Sequence, residues 1–291
     1  MEIYDFSGKE ERMKLSISVI ILTYNEEDNI RDCLQSVYDW ADEMFIIDSG
    51  STDKTLEIAK KYTDKIYEHP FENYAKQRNW AQDSLPIKNE WVFHLDADER
   101  VSSESVSELR KIFSLYLDAD GFIFPRKTIF KGRFIRHGGH YPVYHLRLFR
   151  KNKGRCEQRL YDQHFIVAGK TLKINGDIIN IITPDLNLWK ERHKIWANSE
   201  AEEFFLNKNK KNNIKLTANL IQRRKWLRYK IYYKLPLFLR PFIYFLYRYI
   251  IRLGFLDGKQ GLIFHFWQGL WYRLRVDINI YKLMKRKKCI S

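Results

Sequence analysis

Asp96 and Asp98 stand two residues apart in His94-Leu95-Asp96-Ala97-Asp98-Glu99, at the end of the apolar run Trp91-Val92-Phe93-His94-Leu95. The run reads as a short buried strand, and Ser102-Ser103-Glu104 as the cap of the next helix. Two carboxylates at the end of a strand repel each other unless a cation shares them. A hard divalent ion with oxygen ligands, itself bound to a diphosphate, would meet that need. A solvated acidic turn is the plainer reading of an isolated Asp-x-Asp, so the surrounding elements have to decide.

Those elements repeat a strand-then-helix grammar over the first ~100 residues. Ile17-Ser18-Val19-Ile20-Ile21-Leu22-Thr23 is too apolar for a half-exposed strand and fits a parallel sheet covered on both faces. It breaks at Tyr24-Asn25-Glu26-Glu27-Asp28, where Asn25 is expected to cap a helix whose apolar positions are Ile30, Leu34 and Val37. Met44-Phe45-Ile46-Ile47-Asp48 is a second strand, ending in Ser49-Gly50-Ser51-Thr52-Asp53 before a helix around Leu56, Ile58 and Ala59. Ligands of open α/β sheets sit at the carboxyl ends of the strands. Three polar strand ends in one sheet weigh far more than one Asp-x-Asp.

Taken together, these stretches resemble family 2 glycosyltransferases of the GT-A fold, and are similar to bacterial enzymes of lipopolysaccharide core, O-antigen or exopolysaccharide assembly. The resemblance is carried by Val19 to Glu27, Asp48 to Thr55, His69-Pro70-Phe71 with Ala75-Lys76-Gln77-Arg78-Asn79, and Leu95 to Glu99, across roughly residues 15–165. It implies an α/β fold, a Rossmann-like mixed sheet flanked by helices. It implies that Thr23, Tyr24, Asn25 and Glu26 line the nucleotide side, with Tyr24 facing the base. Asp48, with Ser51 beside it, would hold base or ribose. Many relatives have a second aspartate where this chain has Ser49. Lys76 and Arg78 would approach the diphosphate, where a guanidinium matches phosphate oxygens. Asp96 would serve ribose and metal, and Asp98 would bind Mg²⁺ or Mn²⁺. Glu99 is expected instead to cap the following helix.

Transfer with inversion requires a base for the acceptor hydroxyl and a stabilised leaving diphosphate. The resemblance places the base beyond the Asp-x-Asp strand, where Asp162 is the first candidate and Glu157 the second. The His-Glu pair of many lipopolysaccharide-core relatives is missing there. His164 reads as a structural histidine of a turn. The glycine-bearing stretch from Phe130 to Pro142 suits either a mobile lid or plain turn chemistry. His145 to Arg150 alternates like an edge strand.

At 291 residues with 45% apolar side chains, the chain can fill one large core and an appendage. Cys33, Cys156 and Cys289 lie far apart, which argues against a zinc site or a disulfide scaffold and fits a reducing compartment. The N-terminal residues, with Glu2, Asp5, Glu10 and Glu11, do not read as a signal peptide, so a cytoplasmic protein is expected.

Charge is unevenly spread. From Lys208 onward, 21 Lys and Arg face two acids, Asp257 and Asp277, a sum of +19; the whole chain is +15, which leaves 15 − 19 = −4 for residues 1–207. The basic stretch is also dense in aromatics. Leu235 to Leu239, Phe242 to Tyr247 and Gly261 to Trp271 form apolar clusters bulkier than base stacking needs, and none is an uncharged run of the ~18 residues a spanning helix requires. Arg240, Arg248 and Arg252, which interrupt them, are expected on lipid phosphates.

The expected organisation is a GT-A catalytic domain over 1–206 and a basic amphipathic tail over 207–291, peripheral or monotopic on an anionic membrane surface rather than on nucleic acid. The helix from Glu191 to Phe205 should pack beside the active site, and Asn207 to Asn213 should link the two parts. The expected activity is transfer of a sugar from a nucleotide-sugar donor, UDP-linked by default, to a lipid-linked or lipopolysaccharide-type glycan. The alternatives are a sugar-nucleotide nucleotidyltransferase, whose glycine-rich loop is replaced here by Thr23-Tyr24-Asn25-Glu26, and a non-catalytic basic binding protein.

Overall fold

The computed structural model describes residues 13–115, 118–183, 185–206 and 220–288, so the linker expected at 207–213 and the N-terminal residues 1–12 lie outside the described residues. The chain divides into two compact units. Unit 1 comprises Met1–Lys127, Pro142–Gln158 and Gln163–Ile181; unit 2 comprises Thr128–Tyr141, Arg159–Asp162 and Ile182–Ser291.

Unit 1 is built on a mixed sheet. Its strands are β1 (Leu15–Thr23), β2 (Ala41–Asp48), β3 (Ile66–Glu68), β4 (Trp91–Asp96), β5 (Glu99–Val101) and β6 (Gly121–Phe130). After the short β7 (Arg133–Phe134) of unit 2 come β8 (Val143–Arg150), β9 (Gly154–Cys156), β10 (Phe165–Val167), β11 (Thr171–Lys173) and β12 (Ile178–Ile182). The order is β3-β2-β1-β4-β8-β6-β12-β5, with β1 to β4 mutually parallel and β8 antiparallel to both neighbours.

The apolar character of β1 has its reason in the two cores. Ile17, Val19 and Ile21 join one cluster with Ile30, Cys33, Leu34 and Val37 of α1 (Ile30–Tyr38). Ile20 and Leu22 point the other way, into a cluster with Ala75 and Ala81. After the short α2 (Thr55–Ala59), these two alanines lie on α3 (Tyr74–Ser84). With side chains alternating along a strand, only a sheet covered on both faces buries both sets. Ser102 caps α4 (Ser103–Ser114) as expected, accepting from the backbone N–H of Ser105 at 3.2 Å.

Three local expectations are corrected. Asn25 does not cap α1; that position is Asn29, while Asn25 adopts the left-handed conformation (φ 49°) that asparagine tolerates. Glu99 does not cap α4, because it is buried in β5. His145 to Arg150 is no edge strand: β8 lies between β4 and β6, and Leu146, Arg147, Leu148 and Phe149 are all buried.

Unit 2 is mainly helical, with α5 (Leu186–Leu206), α6 (Leu220–Lys230), α7 (Leu239–Leu246), α8 (Gly258–His265) and α9 (Tyr272–Lys288). Its cores are Ala197 and Ala201 of α5 against Tyr272, Val276 and Ile280 of α9, and Phe130 and Ile135 against Phe264. The glycine-bearing stretch is fixed to the helical part. Asp257 accepts from the His137 backbone N–H at 3.0 Å, Gly138 N–H donates to the Arg252 carbonyl at 2.8 Å, and Arg248 Nε donates to the Gly138 carbonyl at 2.8 Å. Gly138 (φ 66°) leaves no room for a Cβ, which would fall 2.1 Å from the His265 ring.

Candidate active site

The three polar strand ends anticipated from the sequence are adjacent. In the parallel register Thr23 lies opposite Asp48, and Leu22 opposite Asp96. The loops that follow β1 and β2 interlock through backbone donors and side-chain acceptors. Asn25 N–H donates to Ser51 Oγ at 2.9 Å, Glu26 N–H to Thr55 Oγ1 at 2.8 Å, and Thr52 N–H to Asn25 Oδ1 at 2.8 Å. Asp48 is buried and closes its own turn. Its Oδ2 accepts from the N–H groups of Gly50 and Ser51 at 2.9 and 2.8 Å, and its Oδ1 from the Ser51 hydroxyl at 2.5 Å. Gly50, at φ 88°, supplies the conformation this turn requires. Tyr24 beside it projects into solvent, while Thr23 is buried with its hydroxyl unpartnered among the described residues.

The two aspartates sit in different electrostatic settings. Asp96 is held by two guanidiniums: Arg78 donates to both of its oxygens at 2.8 and 3.1 Å, and Arg147 to Oδ2 at 3.2 Å. Arg147 also donates to Glu99 at 2.5 Å, so Arg78, Asp96, Arg147 and Glu99 form an alternating chain of charge. Glu99 closes it by accepting from the Asp96 backbone N–H at 3.2 Å. Burial alone would raise the pKa of Asp96, but Arg78 and Arg147 outweigh it and hold the group well below the usual carboxylate range. Burial and Asp96 move Glu99 upward against the pull of Arg147.

Asp98 has no such support. Its carboxylate accepts no hydrogen bond among the described residues, and the like charges of Asp96, Glu99 and Glu26 bear on it, with Arg126 in opposition. Burial first, and then these like charges, push its pKa up to about 8. Behind the site His94 is buried between Phe149 and Phe165, where burial and the two arginines keep it neutral.

Lys76, Glu157 and Asp162 have partners of their own. Lys76 is exposed and pairs with Glu72 one helical turn away. Glu157 belongs to unit 1 and donates its backbone N–H to the His164 carbonyl at 2.9 Å. Asp162 belongs to unit 2, in a left-handed conformation (φ 58°), with Arg228 donating to it at 2.9 Å. Arg147 and Arg126 escaped the sequence reading. The one available signal was a cation inside an apolar strand, and only the antiparallel register Phe93↔Leu148 brings Arg147 to Asp96.

The family model described as glycosyl transferase family 2 matches residues 18–228, well over half of the sequence and including every residue of this constellation. The chain belongs to glycosyl transferase family 2. It is a glycosyltransferase of GT-A fold, and the nucleotidyltransferase and non-catalytic alternatives fall away. This glycosyltransferase is similar to the lipopolysaccharide core biosynthesis glycosyltransferase LpsC of Rhizobium meliloti, 27% identical over 87% of this chain and 90% of that one. It is 26% identical to an uncharacterised glycosyltransferase of Rickettsia conorii over 70% of this chain and 76% of that protein. A stronger but shorter match, 38% identical to a glycosyltransferase of Rickettsia bellii, spans 36% of this chain and only 35% of that relative. Among solved structures, a mannosyltransferase of Pyrobaculum calidifontis in complex with GDP-Man and Mn²⁺ aligns at TM-score 0.49 and 12% identity, over 93% of this chain and 88% of that one. TarS of S. aureus in complex with UDP aligns at TM-score 0.41 and 17% identity, over 96% and 92%.

Proposed function

We propose that this glycosyltransferase moves a sugar, with inversion, from a nucleotide-sugar donor, UDP-linked by default, to a lipid-linked or lipopolysaccharide-type glycan at the cytoplasmic face of an inner membrane. The observation that carries the donor half is the Asp98 carboxylate, unpaired among the described residues and crowded by acids beside an Asp96 locked by two arginines. The similarity to LpsC supports the acceptor class. Buried, free Cys33 and Cys156 suit a reducing compartment.

Among the described residues no three His, Cys, Asp or Glu side chains group to hold a metal alone. A Mg²⁺ or Mn²⁺ that takes one or two carboxylates and completes its shell with diphosphate and water fits Asp98 well. Such an ion supplies neutralisation of the charge that develops on the leaving diphosphate. In this reading Asp98 is its ligand, and Asp96 stays ionised at the ribose because Arg78 and Arg147 fix it. Asp48 and the interlocked loops of Asn25, Glu26 and Ser51 shape the nucleoside end, with Tyr24 available to stack on the base. Asp162 is the first candidate to take the acceptor proton, oriented by the hydrogen bond from Arg228, with Glu157 as the second.

Calorimetry with a panel of nucleotide sugars, with and without Mn²⁺, tests this. Metal-dependent binding of a UDP-sugar that Asp98→Ala abolishes is the expected result. Folded wild-type protein that binds none of the panel would overturn the proposal.

A further inference from the structure

Residues 236–256 of unit 2 are built with inverted polarity. Leu239, Phe242 and Leu246 of α7, with Ile250 and Ile251 of the π-helical turn Tyr247–Ile251, are 53%, 47%, 50%, 51% and 68% exposed. The row continues through the turn at 253–256, where three more large apolar side chains are exposed. Of the three arginines that break this row in sequence, Arg240 and Arg248 point inward and Arg252 is exposed. Arg240 is 1% exposed and donates to Asp277 from Nε at 2.8 Å and from Nη2 at 2.5 Å; Arg248 is 7% exposed and donates to the Gly138 carbonyl. A water-facing helix places its charges outward and its apolar stripe inward. Here long cations occupy the interior, where burial is costly, and leucines and isoleucines face out.

The charge around this row is of one sign. Both acids that follow Lys208, Asp257 and Asp277, are buried, so the described surface of that stretch offers cations only. Lys234, Arg252 and Lys259 are exposed in or beside the row, and Lys282, Lys285 and Arg286 along α9. A second copy of the chain would bring the same cations against themselves. A bilayer with anionic headgroups accepts both the apolar row and its basic margin.

We infer that the face formed by α7, the π-helical turn after it and the turn at 253–256 is a monotopic wedge that inserts into the apolar edge of an anionic lipid bilayer, Arg240 and Arg248 having been withdrawn from that face to leave it apolar. This deepens the proposed function, since it names the surface that would hold the enzyme at a lipid-linked acceptor. The wedge lies in the plane of the interface. No helix among the described residues is long and apolar enough to cross a membrane, and the 13 residues of α7 and its π turn reach only roughly 20 Å against a hydrocarbon core of about 30 Å.

Flotation of the full chain on vesicles tests the wedge. Wild type is compared on phosphatidylglycerol/phosphatidylethanolamine vesicles and on phosphatidylcholine alone, together with the double variants L246E/I250E and L246S/I250S. Both positions are exposed, and nucleotide-sugar binding by calorimetry serves as an independent check on the fold. Wild type should float with the anionic vesicles, and both variants should lose at least about tenfold in partitioning while nucleotide-sugar binding is unchanged. Variants that float like wild type would overturn the assignment of the face. So would a wild type that floats on neither vesicle, including one that is a dimer in solution made monomeric by L246E/I250E, which would give the face to a second copy. Flotation lost in the variants, with no nucleotide-sugar bound by any protein, would uphold the wedge and count against the transferase reading alone.

Discussion

In unit 1 the carboxylate of Asp98 accepts no hydrogen bond among the described residues and bears the like charges of Asp96, Glu99 and Glu26, whereas in unit 2 the buried Glu200 is fully answered. Glu200 accepts from the hydroxyls of Tyr272 and Tyr233 at 2.8 and 3.0 Å and from Arg273 at 2.7 Å. Burial would raise its pKa, yet Arg273 and Arg228 bring it below the usual range. Asp277 is closed in the same way by Arg240 and by the Phe238 backbone N–H at 2.8 Å. A charge satisfied on every side fixes structure. A carboxylate left to face other carboxylates destabilises the fold unless something from outside completes it, and this distinguishes a site from a strut.

The sharpest way to break this comparison is to treat both kinds of acid alike. On the proposed reading Asp98→Asn would remove the ligand to the divalent ion and should reduce transfer by roughly 10³-fold, while leaving the melting temperature unchanged or higher. A drop in stability without loss of turnover would make Asp98 another strut. Asp277→Leu should behave oppositely, costing about 3–5 kcal/mol in urea unfolding because Arg240 is left buried without a counter-charge. Adding Arg240→Met should recover most of that loss, and a double variant no more stable than the single would show that the pair matters through its shape.

The pH dependence separates the units further. The folded pKa of Asp98, about 8, lies above its unfolded value, so between the two the folded state holds the extra proton. Metal-free stability should therefore fall as pH rises toward 8, and Asp98→Asn should flatten that slope. Divalent affinity should run the other way, weakening about tenfold per unit as pH drops below 8, because the ion and the proton compete for one carboxylate. Titration calorimetry at several pH values reads this directly, and an affinity independent of pH would remove Asp98 from the ligand set. The smallest effect belongs to the exposed pair. Lys76→Ala should change stability by no more than about 0.5 kcal/mol. A large fall in donor affinity in that variant would show that Lys76 leaves Glu72 for the diphosphate.

Much of unit 1 was legible along the chain because its signals are local. Both-face burial of β1 is written in the uninterrupted apolar run from Val19 to Leu22, and the cap at Ser102 in a hydroxyl three residues before its partner. The expectation for Asn25 failed for a related reason. An asparagine after a strand suits a helix cap or a left-handed turn equally well, and Thr52, 27 residues away, decided between them. The tail's basic surplus was plain from composition, but composition gave no direction to its arginines.

By itself, then, the sequence determined the strand-and-helix grammar, the polar ends of β1, β2 and β4 and the charge asymmetry along the chain, because periodicity, capping and composition act over a few residues or none. Only the tertiary structure decided which aspartate is locked and which is free, since Arg147 meets Asp96 across 51 residues through the register of β4 and β8. Only it turned Arg240 toward Asp277, 37 residues on, and Arg248 toward Gly138, 110 residues back. A cation in a sequence has no address: long side chains reach in any direction, and the cost of burial sends them to whichever acceptor the packing brings within about 3 Å.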